Sequence, residues 1–195
     1  MDIATERPEL KWHVRELWGA IGWLFPRNKT SEGVATTICF DSPPEVLWRG
    51  ILFYEEVPFR PPFVLRLFLP HPVRTSGDKT RVGTTILCVY TTGGLAKTIT
   101  AVEPPNLVRF EVVEQRLGIE ACITTLGGSY HIRARGDGCE VVLTTHYRGH
   151  LRPRNLWRPL ERFLAHRVHR YILSGMSAHL ASLSLPLDKA REKDF

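Results

Sequence analysis

The chain of 195 residues lacks most of the features that announce a function from sequence. It has no apolar run approaching the ~20 residues of a membrane-spanning helix. Its opening, Met1 to Lys11, has no basic stretch followed by an apolar core, so no secretory leader is expected. Cysteine is sparse: Cys39, Cys88, Cys122 and Cys139 lie far apart, with no CxxC or Cys/His spacing. That argues against the common zinc sites. Each sits in a strand-like run, where a free cysteine behaves as a small buried apolar residue. Reduced thiols and a cytoplasmic setting are therefore expected. There is no GxSxG, HExxH, phosphate-binding loop or GxGxxG. No catalytic residue, metal or other cofactor is assigned on this basis. His166 and His169 are three apart and could share a helical face, but a metal would need a third ligand that the pattern does not supply.

Charge is nearly balanced, with a net charge of +6 that only weakly favours acidic partners. No recognition motif or stacking platform accompanies the arginines, so nucleic acid is not an expected partner. The apolar fraction of 43% and the charged fraction of 24% are those of an ordinary globular domain with a real core.

What the sequence does have is concentrated in its last third. From about Asn155 to Ser184, Leu156, Leu160, Phe163, Leu164, Val168, Tyr171, Ile172, Met176, Leu180 and Leu183 recur at helical spacing. A helix of that length with one apolar stripe needs a large apolar surface to lie on. The preceding segments can supply it as a curved antiparallel sheet. Gly33–Phe40 reads as a strand by β-branched content. Ser42, Pro43 and Glu45 form a capping box for a helix through Tyr54. Pro58–Pro72 is proline-punctuated and apolar, with room for a short helix at Phe63–Leu69 that could edge a cavity. Thr75–Arg81 reads as a polar loop. A meander follows, with strands at Gly83–Tyr90, Leu95–Val102, Leu107–Glu114, within Glu120–Arg135, and at Glu140–Tyr147. Gly127-Gly128 breaks or bulges the fourth of these. Ahead of the domain, Pro8–Phe25 reads as an amphipathic helix whose tryptophans suit either packing on the domain or an interfacial membrane anchor.

Two stretches carry a family resemblance. Phe40-Asp41-Ser42-Pro43-Pro44-Glu45-Val46-Leu47-Trp48 resembles the first strand-to-helix junction of the START-like (SRPBCC) superfamily. Ala101-Val102-Glu103-Pro104-Pro105-Asn106-Leu107-Val108-Arg109-Phe110 resembles its central hairpin. The match is closest to the polyketide cyclase/dehydrase and lipid-transport branch. The resemblance implies an α+β helix-grip fold: a curved seven-stranded antiparallel sheet wrapped around a long C-terminal helix, with the N-terminal helix as an addition. Six strands are legible, and the seventh is expected within residues 115–134. The chain then divides into an N-terminal extension (1–30), the helix-grip domain (31–185) and a C-terminal tail (186–195). Such a fold hosts carriers and enzymes alike.

The ligand expected from the resemblance is small and hydrophobic or amphipathic, such as a lipid, quinone or polyketide-like molecule. It would lie in a cavity of roughly 300–1,000 Å³ between sheet and helix. Strand alternation turns Tyr90, Phe110, Tyr130, Thr145 and Tyr147 toward that cavity, and the helix stripe adds Phe163, Tyr171 and Met176. A one-residue register slip would put Arg133, His146 and Arg148 there instead. Two alternatives stand beside the binding reading. One is a cyclase or dehydratase acting on an aromatic or polyketide substrate, which a buried Asp, Glu or His inside the cavity would favour. The other is a peripheral membrane or assembly protein that uses the tryptophan helix. Its second contact would be the basic row Arg154, Arg158, Arg162 and His166, against an anionic surface. The sequence does not indicate an oligomeric state.

Overall fold

The computed structural model describes residues 29–53, 61–70 and 72–184. The helix expected at Pro8–Phe25 and the tail at 186–195 lie outside those residues. In order the elements are β1 (Glu32–Phe40), α1 (Pro44–Phe53), α2 (Phe63–Phe68), β2 (Pro72–Ser76), β3 (Thr85–Tyr90), β4 (Gly93–Glu103), β5 (Leu107–Arg116), β6 (Ile123–Arg135), β7 (Gly138–Gly149) and α3 (Arg154–Ser184).

The strands form one seven-stranded antiparallel sheet in the order β1-β7-β6-β5-β4-β3-β2, curled into a half-barrel. The chain enters at one edge, crosses by α1 and α2 to the other, and returns strand by strand. β1 therefore pairs with β7, Val34 opposite Thr145 and Phe40 opposite Cys139. α3 then lies across the hollow face against β1, β7 and α1.

The alternation read along β5 to β7 survives in the sheet. Val108 and Phe110 are buried while Arg109 and Glu111 are exposed. Ile132, Val141 and Leu143 point into the core, and Arg133 and His146 point outward. The core joins Phe40, Leu47 and Trp48 to Ile99, Ile132, Val141, Leu173 and Met176. It thus ties the first strand and α1 to the last helix.

Three expectations are corrected. The seventh strand is β2, at the sheet edge, and residues 115–134 hold no further strand, only the end of β5 and most of β6, which is bulged between Thr125 and Gly127. β2 (PVRTS) opens on proline and carries no run of large apolar residues, so it has little strand signal of its own; pairing with β3 makes it one. β4 starts at Gly93, two residues before the strand expected at Leu95–Val102: a Cβ on Gly93 would come 1.7 Å from the Arg116 carbonyl oxygen, so only glycine lets β4 and β5 approach. Finally, Cys88, Cys122 and Cys139 are buried thiols, but Cys39 is exposed on the outer face of β1, where an Arg135 Nη1 lies 2.8 Å from its Sγ.

Candidate functional site

Between the hollow of the sheet and α3 lies a cavity of about 210 Å³. The sheet contributes Leu95, Phe110, Tyr130 and Leu143, and α3 contributes Leu164, Val168 and Ile172. Leu69 and Pro70, just after α2, close part of its edge, as expected for that segment. A second hollow of about 80 Å³ shares Tyr90, Lys97, Phe110, Tyr130 and Ile172 and reaches Met176. The main cavity is smaller than expected because aromatic rings occupy its sheet side. Phe110 and Tyr130 pack with ring centroids 6.4 Å apart.

The wall is apolar with a few polar interruptions, and these were the hardest part to read from sequence. Lys97 sits at the inward phase of β4, between the buried Leu95 and Ile99. Its Nζ lies over the Phe110 ring, 4.7 Å from the centroid, a cation–π contact. Burial works against its charge, but Tyr90, Cys88 and Tyr130, with a hydrogen bond to Cys88, more than offset that, and the ammonium is held above its usual range. Burial likewise raises the Tyr90 and Tyr130 phenols, against the pull of Lys97. At neutral pH the cavity wall therefore carries two neutral phenols beside Lys97. A lysine in the phase of Leu95 and Ile99 was the available signal.

Opposite, α3 brings Glu161 and His169 into the wall. Glu161 accepts both Nη groups of Arg154 at 2.7 Å, and Arg154 also reaches Glu32 Oε1 on β1 at 2.5 Å. Arg158 adds a charge contact, Nε 2.9 Å from Glu32 Oε2, without hydrogen-bond alignment. The row Arg154, Arg158, Arg162 and His166 is thus not a free basic face. Arg154 and Arg158 are committed to carboxylates, and His166 lies 2.8 Å from the Thr36 hydroxyl.

Of the residues expected at the ligand, Tyr90, Phe110, Tyr130 and Thr145 line the main cavity, and Met176 lines the smaller one. Tyr147, Phe163 and Tyr171 do not. Tyr147 is fully buried beside the Glu32, Arg154 and Glu161 cluster, and burial and those carboxylates push its phenol up to about 12. Tyr171 is buried away from the lining. Phe163 is 46% exposed, with the Arg167 guanidinium over its ring at 5.2 Å. Leu156 is exposed too, whereas Leu160, 40% exposed, still lines the cavity, so the helix stripe is wrong at Leu156 and Phe163. The inward face there runs through Trp157, Leu160, Glu161, Leu164, Ala165, Val168 and His169. Two polar residues occupy it because each has partners inside, and an apolar count cannot see that.

His169 is almost fully buried between Thr36 and Thr145. Burial, reinforced by His166, pushes its pKa from 6.5 down to about 4. The neutral ring is the folded form. Between those values the unfolded chain binds a proton that the folded chain refuses, so stability falls as pH drops. Full stability is expected above about pH 6.5, with roughly 2–3 kcal/mol lost by about pH 4. Urea titrations across that range, compared with His169→Gln, check this. A pH slope unchanged in the variant would assign the loss to other groups.

Among the described residues, no three His, Cys, Asp or Glu side chains come together as a metal site. No described helix is long and apolar enough to cross a membrane.

A seven-stranded antiparallel half-barrel that holds a long C-terminal helix over a cavity is the START/SRPBCC helix-grip fold. No protein-family model matches the chain, and no curated protein matches it. Solved structures do. A protein from Thermus thermophilus aligns at a TM-score of 0.57 and 18% identity, over 78% of this chain and 99% of its own. A protein from Rhodobacter sphaeroides gives 0.53 and 14%, over 82% and 97%. The truncated norcoclaurine synthase of Thalictrum flavum gives 0.52 and 12%, over 80% and 94%. At these identities the likeness establishes the fold alone.

Proposed function

We propose that the protein binds a small hydrophobic or amphipathic molecule, of the lipid, quinone or polyketide-like kind, between the sheet and α3. The observation that carries this reading is the cavity itself, an apolar space whose sheet side ends in Lys97, Tyr90 and Tyr130. A few polar groups placed in an apolar pocket fix a ligand's orientation. Here they suit a ligand whose apolar body carries an electron-rich or acidic group, met by the Lys97 ammonium.

One observation favours a second reading, the cyclase- or dehydratase-type enzyme. A histidine with a depressed pKa in a cavity wall is a candidate acid or base. Both ring nitrogens of His169, however, already bond to threonine hydroxyls, so neither is aimed at the cavity. That favours binding over catalysis. Peripheral contact with an anionic membrane is a weaker proposal now that Arg154 and Arg158 are paired within the fold.

Native mass spectrometry of the purified protein is expected to show a copurified apolar molecule of small mass. Lys97→Met should lower its occupancy if the molecule is an acid. Protein that carries nothing, and that binds no hydrophobic fluorophore displaceable by a fatty acid or quinone, would overturn the reading.

A further inference from the structure

The polar side of the cavity is a continuous chain of four side chains. Thr145 and His169 belong to the cavity wall. Thr145 Oγ1 lies 2.8 Å from His169 Nε2. His169 Nδ1 lies 2.9 Å from Thr36 Oγ1, and Thr36 Oγ1 lies 2.8 Å from His166 Nδ1. Thr36 and His169 are buried, and His166 is half-buried. The chain thus runs from the cavity, across β1, toward the protein surface.

Each hydroxyl has one proton to donate, and a neutral imidazole has one N–H. Thr36 could also accept from both rings, but its own buried O–H would then have no acceptor, since its partners are the two histidines; with that proton paired, the three contacts are satisfied in two concerted orders. In the first, Thr145 donates to His169 Nε2, His169 Nδ1–H donates to Thr36, and Thr36 donates to His166 Nδ1. Thr145 then offers the cavity only oxygen lone pairs. In the second, every bond is reversed. His166 Nδ1–H donates to Thr36, Thr36 donates to His169 Nδ1, and His169 Nε2–H donates to Thr145. The Thr145 hydroxyl proton is then released toward the cavity. A charged His166 carries a proton on both nitrogens and cannot accept at Nδ1. It selects the second order.

We propose that His166, Thr36, His169 and Thr145 form a reversible hydrogen-bond wire that sets the polarity of the pocket, protonation of His166 selecting the form that donates to carbonyl-bearing ligands. The proposal rests on the pocket being a ligand site.

His169 itself stays neutral over the relevant range, because burial holds its pKa near 4. Other charged and titratable groups lie on α3 and on the elements packed against it. α3 brings Arg162, Arg167 and Arg170, and β1 brings Glu32, tied to Arg154 and Arg158. α1 brings Glu45 and Arg49, and α2 brings Arg66. The inner face of β7 brings Cys139 and Tyr147, both held protonated by burial. None of these residue types ordinarily changes charge between about pH 5 and pH 8, whereas imidazole does. Of the other histidines whose side chains are described, His150 bonds to Thr124, and His131 and His146 belong to other surroundings.

The test uses two probes that never titrate, 2-acetylnaphthalene and its carbonyl-free counterpart 2-ethylnaphthalene. Between about pH 8 and pH 5.5 the wild type should bind the ketone about fivefold tighter, the worth of one hydrogen bond, with no change for the hydrocarbon. His166→Gln should abolish that pH dependence, and Thr145→Val should remove the ketone preference throughout. In parallel, ring-nitrogen NMR of the ligand-free protein should show His169 moving to the Nε2–H tautomer as His166 is protonated. A fixed His169 tautomer, or equal pH dependence for both probes or in His166→Gln, overturns the wire. If neither probe binds while the tautomer switches, the wire stands and the ligand-pocket reading falls.

Discussion

Arg154→Met is expected to destabilise the fold by an amount toward the lower part of the ~3–5 kcal/mol that breaking a buried ion pair costs. Arg154 donates to Glu161 from both terminal nitrogens and to Glu32 across the helix–sheet seam. Only 9% of the Glu161 side chain and 11% of the Glu32 side chain remain exposed, so removing the guanidinium strands two carboxylates with little water to solvate them. Arg158 keeps a contact with Glu32 and limits the loss. The triple variant Glu32→Gln, Arg154→Met, Glu161→Gln should recover most of it, since the penalty lies in unpaired charge and not in lost attraction. Urea unfolding of the three proteins at neutral pH decides the point. A single variant within ~0.5 kcal/mol of wild type would place Arg154 in solvent.

Leu173→Ala and Phe163→Ala, compared side by side, test the phase of α3. Leu173 has no exposed surface and packs in the cluster that holds Leu47, Trp48, Val141 and Met176. Its truncation leaves a cavity at the helix–sheet seam and should cost about 2.7–5 kcal/mol. Phe163, at 46% exposed with a guanidinium over its ring, should cost less than ~1 kcal/mol and leave ligand binding unchanged. The sequence pattern alone assigns the opposite: Phe163 on the inner stripe and Leu173 off it. Comparable losses for the two variants would mean that the helix is rotated from the orientation described.

That contrast marks where local pattern stops being informative. Strand alternation from Val108 to Tyr147 could be read because each side chain there has one choice, hollow or solvent, and its neighbour two residues on has the same one. Tyr90, Phe110, Tyr130 and Thr145 reach the cavity lining for that reason. The first half of α3 could not be read the same way. Glu161 faces inward because Arg154 neutralises it, and His169 because Thr36 and Thr145 bond its ring. The threonines lie on strands and Arg154 two turns away on the same helix, none of which apolar spacing registers, so that spacing places Leu156 and Phe163 inside. β2 fails for a related reason: a short, proline-led, mostly polar segment becomes a strand only when β3 offers its edge.

By itself the sequence determined the element order apart from β2, the antiparallel meander and the long closing helix, and with them the helix-grip fold. These follow from hydrophobic period, turn residues and caps, all of which act within a few residues. The tertiary structure alone decided what the cavity wall carries. It set Lys97 over Phe110, brought Glu32 and Glu161 to one arginine, and joined His166 to Thr145 through Thr36 and His169. A buried polar group is tolerable only when its partners are in place, and those partners meet only after β1, β7 and α3 have packed together.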